Sequence, residues 1–188
     1  MKKIGITGSL ASGKTTASKI LSFRQGPLFS ADVAVRGLYK KKSFKRYLSR
    51  KLKIHDQSNM KNKIKDLILS KKFKIEKLEK LIHPFVRNEM KIFKKKNKNE
   101  KFTFFEIPLL VESKLIKEFD IIFYIKAKKS IRLKRFQSKR GDKKLFNILN
   151  RNQLMDIKKV KFCDHIIVNE KNLKILKKKL LDIFKRYE

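Results

Sequence analysis

A chain of 188 residues has room for one domain with a sizeable core, and two independent domains would be cramped. With 41% hydrophobic and 10% aromatic residues against 37% charged, it holds enough apolar material for a packed core, which excludes disorder throughout. The net charge of +35 suggests a polyanionic partner, but the lysines are spread over nearly every segment and greatly outnumber the arginines, the pattern of a solvated surface written by AT-rich coding DNA.

Cys163 is the only cysteine, so no internal disulfide can form and a two-cysteine metal site is excluded. No stretch reaches the roughly 20 apolar residues of a membrane span. The apolar run after Met1, Lys2 and Lys3 is broken by Gly5, Thr7 and Gly8, unlike that of a secretory leader. A cytoplasmic protein with no membrane partner is expected.

IGIT (4–7) is a short β-branched run ending in glycine, and KTTASKILSF places Ala17, Ile20, Leu21 and Phe23 on one helical face. Gly26 suits the end of that helix, and Pro27-Leu28-Phe29 opens a second buried strand that stops at Ser30-Ala31-Asp32. From Val33 to Lys98 the strand signals vanish. Leu67, Ile68, Leu78, Leu81, Ile82, Phe85, Val86 and Phe93 recur there at helical spacings, and Pro84 is expected to bend or interrupt its helix. Strands return at FTFFEI (102–107), DIIFYIKA (120–127) and HIIV (165–168). Between the last two, SIRLKRFQSKRGDKKLFNILNRNQ reads as two helices joined by a turn at Gly141-Asp142. The end of the chain reads as an amphipathic helix with Leu173, Leu176, Leu180 and Phe184 on one face. Nearly continuous apolar strands alternating with helices predict an α/β fold with a five-stranded parallel sheet covered on both faces. Ligands should gather at the carboxyl ends of the strands, after Thr7, Phe29, Ile107, Ile125 and Val168.

GSLASGKT (8–15) fits G-x-x-x-x-G-K-[ST], lying after a predicted strand and before a predicted helix. Glycine is scarce, with 6 in the chain, and by composition the pattern would arise by chance in about one of several hundred such chains. Gly8 and Gly13 let the loop turn its N–H groups inward, so Gly8, Ala11, Ser12, Gly13, Lys14, Thr15 and Thr16 are the candidate ATP contacts. Lys14 can reach the transferring phosphoryl group, and the Thr15 hydroxyl is a hard oxygen ligand suited to Mg²⁺. Asp32, on the same predicted sheet edge, is either a base for an attacking hydroxyl or a cap on the next helix.

Read together, TGSLASGKTT, SADVAVR, HPFVR, PLLVES and the series Gln153, Lys159, Asp164, Asn169 resemble the dephospho-CoA kinase family almost from end to end. The resemblance implies a three-layer P-loop kinase that uses ATP and Mg²⁺ to phosphorylate the ribose 3′-hydroxyl of dephospho-CoA, giving CoA and ADP. It implies a single domain, with a core of 1–36, 99–127 and 156–188, a helical acceptor-binding insertion at 37–98 and a helical lid at 128–155. Asp32 becomes the catalytic base beside Lys14, while Ser30 replaces the first acidic residue of the family's D-A-D segment. Arg36, His83, Arg87, Pro108 and Leu109 fall on the acceptor side, with Leu110 continuing the wall between acceptor and ATP. Glu112 follows the family's acidic residue, and Glu106 stands where a carboxylate holds a metal-bound water. Arg132, Arg135 and Arg140 fall in the lid, Arg140 as an ATP contact, and Arg151 lies out of register with the family's arginine. The acidic-then-Arg pair that the family usually places early in the insertion falls on Asn59-Met60-Lys61-Asn62, leaving only Lys61 in the arginine's place.

A monomer or weak homo-oligomer with no specific nucleic-acid partner is expected. The alternatives are another small P-loop kinase acting on a nucleoside or metabolite, or a basic NTP-binding protein associated with nucleic acid.

Overall fold

The computed structural model describes residues 1–54, 59–70 and 73–188. Its frame is a sheet of parallel strands β1 (Lys2–Gly8), β2 (Leu28–Ser30), β3 (Phe102–Glu106), β4 (Ile121–Lys126) and β5 (His165–Val168), in the spatial order β2-β3-β1-β4-β5. Every residue of β3 and the first five of β4 are buried, as the unbroken apolar runs demand of strands covered on both faces. From β1 the chain runs to one edge, returns through β3, and crosses to β4 on the far side of β1. The reversal of strand order therefore falls at the carboxyl end of β1, where an open α/β sheet leaves a crevice.

One face is covered by α1 (Lys14–Ser22) and α9 (Leu173–Phe184), whose Ala17, Leu21, Leu176, Leu180 and Phe184 pack on Ile4, Ile6, Phe104 and Phe123. The other is covered by α2 (Ala31–Leu38) and α5 (Ile75–Lys96), through Ala31 and Met90 against Phe29, Phe105 and Ile122. A Cβ on Gly5 would meet Leu110 Cδ1 at 2.9 Å, so a larger residue there would push the Leu110 side chain aside. Together with α3 (Lys42–Leu52) and α4 (Met60–Leu69), the helices α2 and α5 also enclose a separate core of Leu38, Phe44, Leu48, Ile64 and Ile82. The predicted helical insertion thus holds helices throughout its described part; residues 55–58 and 71–72 lie outside the described residues. After β4 come α6 (Lys129–Gln137), α7 (Lys143–Arg151) and the short α8 (Asp156–Val160). Asp142 caps α7, accepting from the Leu145 N–H at 2.9 Å.

One local expectation is narrowed and two are corrected. Of the two outcomes expected at Pro84, a bend or an interruption, interruption does not occur: α5 runs through it, with Ile82 in the insertion core on one side and Met90 in the sheet core on the other. Phe23 falls past the end of α1 in extended backbone and is 67% exposed, because the helix stops one residue short of it. Leu173 is 61% exposed in the first turn of α9, where the buried stripe has not yet met the sheet.

Candidate active site

The loop after β1 turns on two glycines. A Cβ on Gly8, at φ 148°, would stand 2.3 Å from the Ile125 carbonyl, and one on Gly13, at φ 98°, 2.2 Å from Asn169 Nδ2. Gly13 is the N-cap of α1 and has no side chain with which to cap it, so the first N–H groups of the helix stay free to face an anion. Ala11 completes the turn in left-handed backbone at φ 58°.

The outer side of this loop is held by distant parts of the chain. Leu10 donates its N–H to Gln153 Oε1 at 3.0 Å and accepts from Arg132 Nη1 at 3.2 Å. The Ser12 carbonyl accepts from Asn169 Nδ2 at 2.9 Å and from Arg135 Nη1 at 3.3 Å. Ser9 Oγ donates to Asp156 Oδ1 and pairs with the buried Tyr124 hydroxyl at 3.1 Å. These contacts leave the inner side open, and the cavity there is lined by residues 10–16 together with Asp32, Glu106, Pro108, Arg135, Lys139, Gln153 and Asn169.

Inside it, Lys14 Nζ donates to the carbonyls of Gly8 (3.1 Å) and Ser9 (2.8 Å). Burial pushes its pKa down to about 8, against the pull of Asp32 and Glu106 and with a further push from Lys159 and Arg132. Thr15 Oγ1 donates to Glu106 Oε1 at 2.5 Å, a carboxylate buried at the end of β3. Asp32 stands at the second position of α2, and Ser30, not Asp32, is the N-cap. Asp32 keeps an exposed surface, but partial desolvation of its carboxyl raises its pKa, the Glu106 charge raises it further, and Lys14 and Arg36 oppose both.

Asp32 and Pro108 line a second, largely apolar cavity as well, between α2, α5 and the loop 107–115. Its walls include Val35, Ile75, Leu78, Ile82, Val86 and Leu109, with His83 and Arg87 among its polar groups. His83 is not bonded to a carbonyl freed by Pro84, and its pKa is lowered by burial and by Arg87. Arg87 Nη2 donates to the Ser113 carbonyl at 2.8 Å, tying α5 to this loop. Sequence reasoning missed Glu79, which lines the same cavity; its spacing of four from His83 and eight from Arg87 marks one helix face and would have found it. It also missed Asp156 and Tyr124, which no local pattern signals.

Several expected site residues stand elsewhere. Gly8 shapes the turn but does not line the cavity on the loop's inner side. Arg132 is buried, its guanidinium given to the carbonyls of Leu10 and Ala127 and to Asn150 Oδ1 at 2.7 Å; it braces the loop from behind instead of closing over it. Arg140 is exposed in the turn after α6 and lines neither cavity, because Lys139 takes the cavity-facing position. Arg36 is exposed beside Asp32, outside both linings. Leu110 is fully buried against Gly5 in the sheet core and is no part of the wall between the cavities. Glu112 lines neither cavity, its Oε1 lying 2.6 Å from Lys159 Nζ. Lys61 lies over the Tyr39 ring at 5.1 Å.

The sequence profile of the dephospho-CoA kinases matches residues 2–174. A dephospho-CoA kinase of Rickettsia conorii is 33% identical over 189 aligned residues, which cover 100% of this chain and 98% of the relative. One of Fusobacterium nucleatum is 33% identical over 94% of each chain. A crystal structure from Thermus thermophilus shares the fold, with a TM-score of 0.79 at 22% identity over 98% of this chain and 97% of that one. A profile match over nearly the whole chain, with relatives of equal length above 30% identity, means that this chain belongs to the dephospho-CoA kinase family.

Proposed function

We propose that the chain transfers the γ-phosphoryl group of ATP to the ribose 3′-hydroxyl of dephospho-CoA, giving CoA and ADP, a reading supported by its membership of a family whose members are named dephospho-CoA kinases. The observation that carries this is the junction of the two cavities at Asp32 and Pro108, the one on the P-loop side and the other on the α5 side. ATP places its phosphates against the N–H groups of residues 11–16, and Lys14 lies against the transferring group. The acceptor enters from the α5 side between His83, Arg87, Pro108 and Leu109. As the 3′-oxygen bonds to the γ-phosphorus, its proton passes to an Asp32 carboxylate oxygen. The bond from that phosphorus to the bridging oxygen breaks, and ADP leaves with the electron pair. The raised pKa of Asp32 brings it closer to the working pH of a base. Arg135 spreads positive charge over the donor phosphates from the lid side.

The Thr15 hydroxyl and the carboxylates of Glu106 and Asp32 are hard oxygen donors that fit Mg²⁺, an ion needing few protein ligands when phosphates supply the others. Among the described residues no group of three or more His, Cys, Asp or Glu could hold a metal alone, so the ion would share phosphate oxygens. Bound there, it would neutralise charge on the β- and γ-phosphates.

The same reading makes 37–98 the acceptor-binding insertion and 128–155 the lid on a core of 1–36, 99–127 and 156–188. It takes the protein to be cytoplasmic, monomeric or weakly self-associating, and without a specific nucleic-acid partner. No helix among the described residues is long and apolar enough to cross a membrane. The test is an acceptor screen by coupled ADP release with ATP and Mg²⁺: dephospho-CoA should turn over far faster than any nucleoside, and equal turnover of a common nucleoside would overturn the assignment.

A further inference from the structure

The acceptor cavity carries a carboxyl group that the transfer step does not use. Glu79 and His83 line it one turn apart on α5, among Ile75, Leu78, Ile82 and Val86. Neither has a hydrogen-bond or ion-pair partner among the described residues, whereas Arg87 is bonded to the Ser113 carbonyl and Asp32 sits at the junction of the two cavities. Burial pushes the Glu79 pKa up to about 7, with Glu76 on its own helix and Glu112 on the facing loop pushing the same way. At and below that pH the cavity presents an uncharged carboxyl, which is one donor and one acceptor side by side.

The parts of the acceptor differ in their fitness for such a slot. A diphosphate would lose its hydration against aliphatic walls. The pantetheine arm begins only beyond that diphosphate. The adenine is attached to the same ribose whose 3′-hydroxyl meets Asp32, it is apolar on both faces, and its edge pairs an acceptor, N1, with a donor, the N6 amino group.

We propose that Glu79 reads the adenine edge of the acceptor: its carboxyl O–H donates to N1 and its carbonyl oxygen accepts from the N6 amino group, with His83 walling the base on the next turn. This deepens, and rests on, the assignment of the α5-side cavity to dephospho-CoA. An ionised Glu79 has no proton to give and turns a negative charge toward the N1 lone pair.

The experiment compares kcat/KM for dephospho-CoA with that for an analogue carrying carbon in place of N1, from pH 6 to 9. The ratio of the two acceptors cancels contributions from Asp32, Lys14 and His83 that are common to both. The wild type should prefer the natural base by about tenfold or more at pH 6, the usual cost of an unmade buried hydrogen bond, and the preference should shrink as pH rises through 7. Glu79→Leu should bring the preference to within about twofold through a higher KM for dephospho-CoA, with ATP affinity kept. Glu79→Gln should keep a preference that no longer changes with pH. An undiminished preference in Glu79→Leu overturns the proposal; if that variant does not fold, a Glu79→Gln pH profile identical to the wild type's overturns it. No turnover of dephospho-CoA by the wild type would instead overturn the functional assignment itself.

Discussion

Asp32 is available for chemistry because Ser30 holds the N-cap position of α2 and the carboxyl is left at the cavity junction. Asp32→Asn should keep ATP affinity, followed with a fluorescent nucleotide, and lose at least about a hundredfold in kcat, the size of a general-base effect; unchanged turnover would remove Asp32 from the reaction. Lys14 gives a pH dependence whose sign follows from its burial. With its pKa pushed down to about 8, the free enzyme carries a protonated Lys14 below that value and a neutral one above it. ATP affinity should therefore fall as pH rises through 8, with uptake of close to one proton per ATP bound at pH 9, measured by calorimetry in buffers of different ionisation heat. The meeting of Lys14, Thr15 and Asp32 at one cavity was legible in the sequence because the loop and strand end that position them are local. Asp156 and Tyr124 were not, since they reach Ser9 across 147 and 115 residues and nothing near either one signals the contact.

Among the elements, α8 and the loop 107–115 are joined by a buried ion pair. Lys159 is fully buried with Nζ 2.6 Å from Glu112 Oε1, the same oxygen accepts from the Leu154 N–H at 3.2 Å, and Oε2 is buried without a hydrogen-bond partner. Glu112→Ala would strand the Lys159 ammonium in the interior and should cost about 3–5 kcal/mol of stability in urea unfolding, much of it recovered by Lys159→Met in the same chain. Strands β1, β3 and β4 were legible because burial on both faces writes them as nearly unbroken apolar runs, whereas the edge strand β5 reads the same although its Ile166 and Val168 are exposed. The long helices were legible because they repeat apolar residues over several turns. Helix α8 was not, since it has five residues and too few turns to show a period. Arg132 misled for a related reason: a charge on a helix reads the same whether its guanidinium meets solvent or three backbone and side-chain oxygens inside the protein.

On the scale of the whole molecule, the charge of +35 and the shaped acceptor cavity make different demands on salt. Adhesion to RNA should weaken steeply between 50 and 200 mM salt, roughly a thousandfold if six or more phosphates are met, whereas kcat/KM for dephospho-CoA should fall far less. A filter-binding series beside the kinase assay reads both, and an equally steep fall in the two would make the lysine coat part of acceptor capture. The helices between β2 and β3 keep a core of Phe44, Leu48, Ile64 and Ile82, and α5 contributes to both that core and the sheet core. The cavities are likewise shared, with Asp32 and Pro108 belonging to each. A single compound joining two nucleosides through a polyphosphate tether would bridge that seam, making its second docking event intramolecular. With a tether that matches the span, such a molecule should hold the enzyme about a hundredfold or more tighter than either half alone, and its optimal length would be a ruler for the distance the phosphoryl group travels.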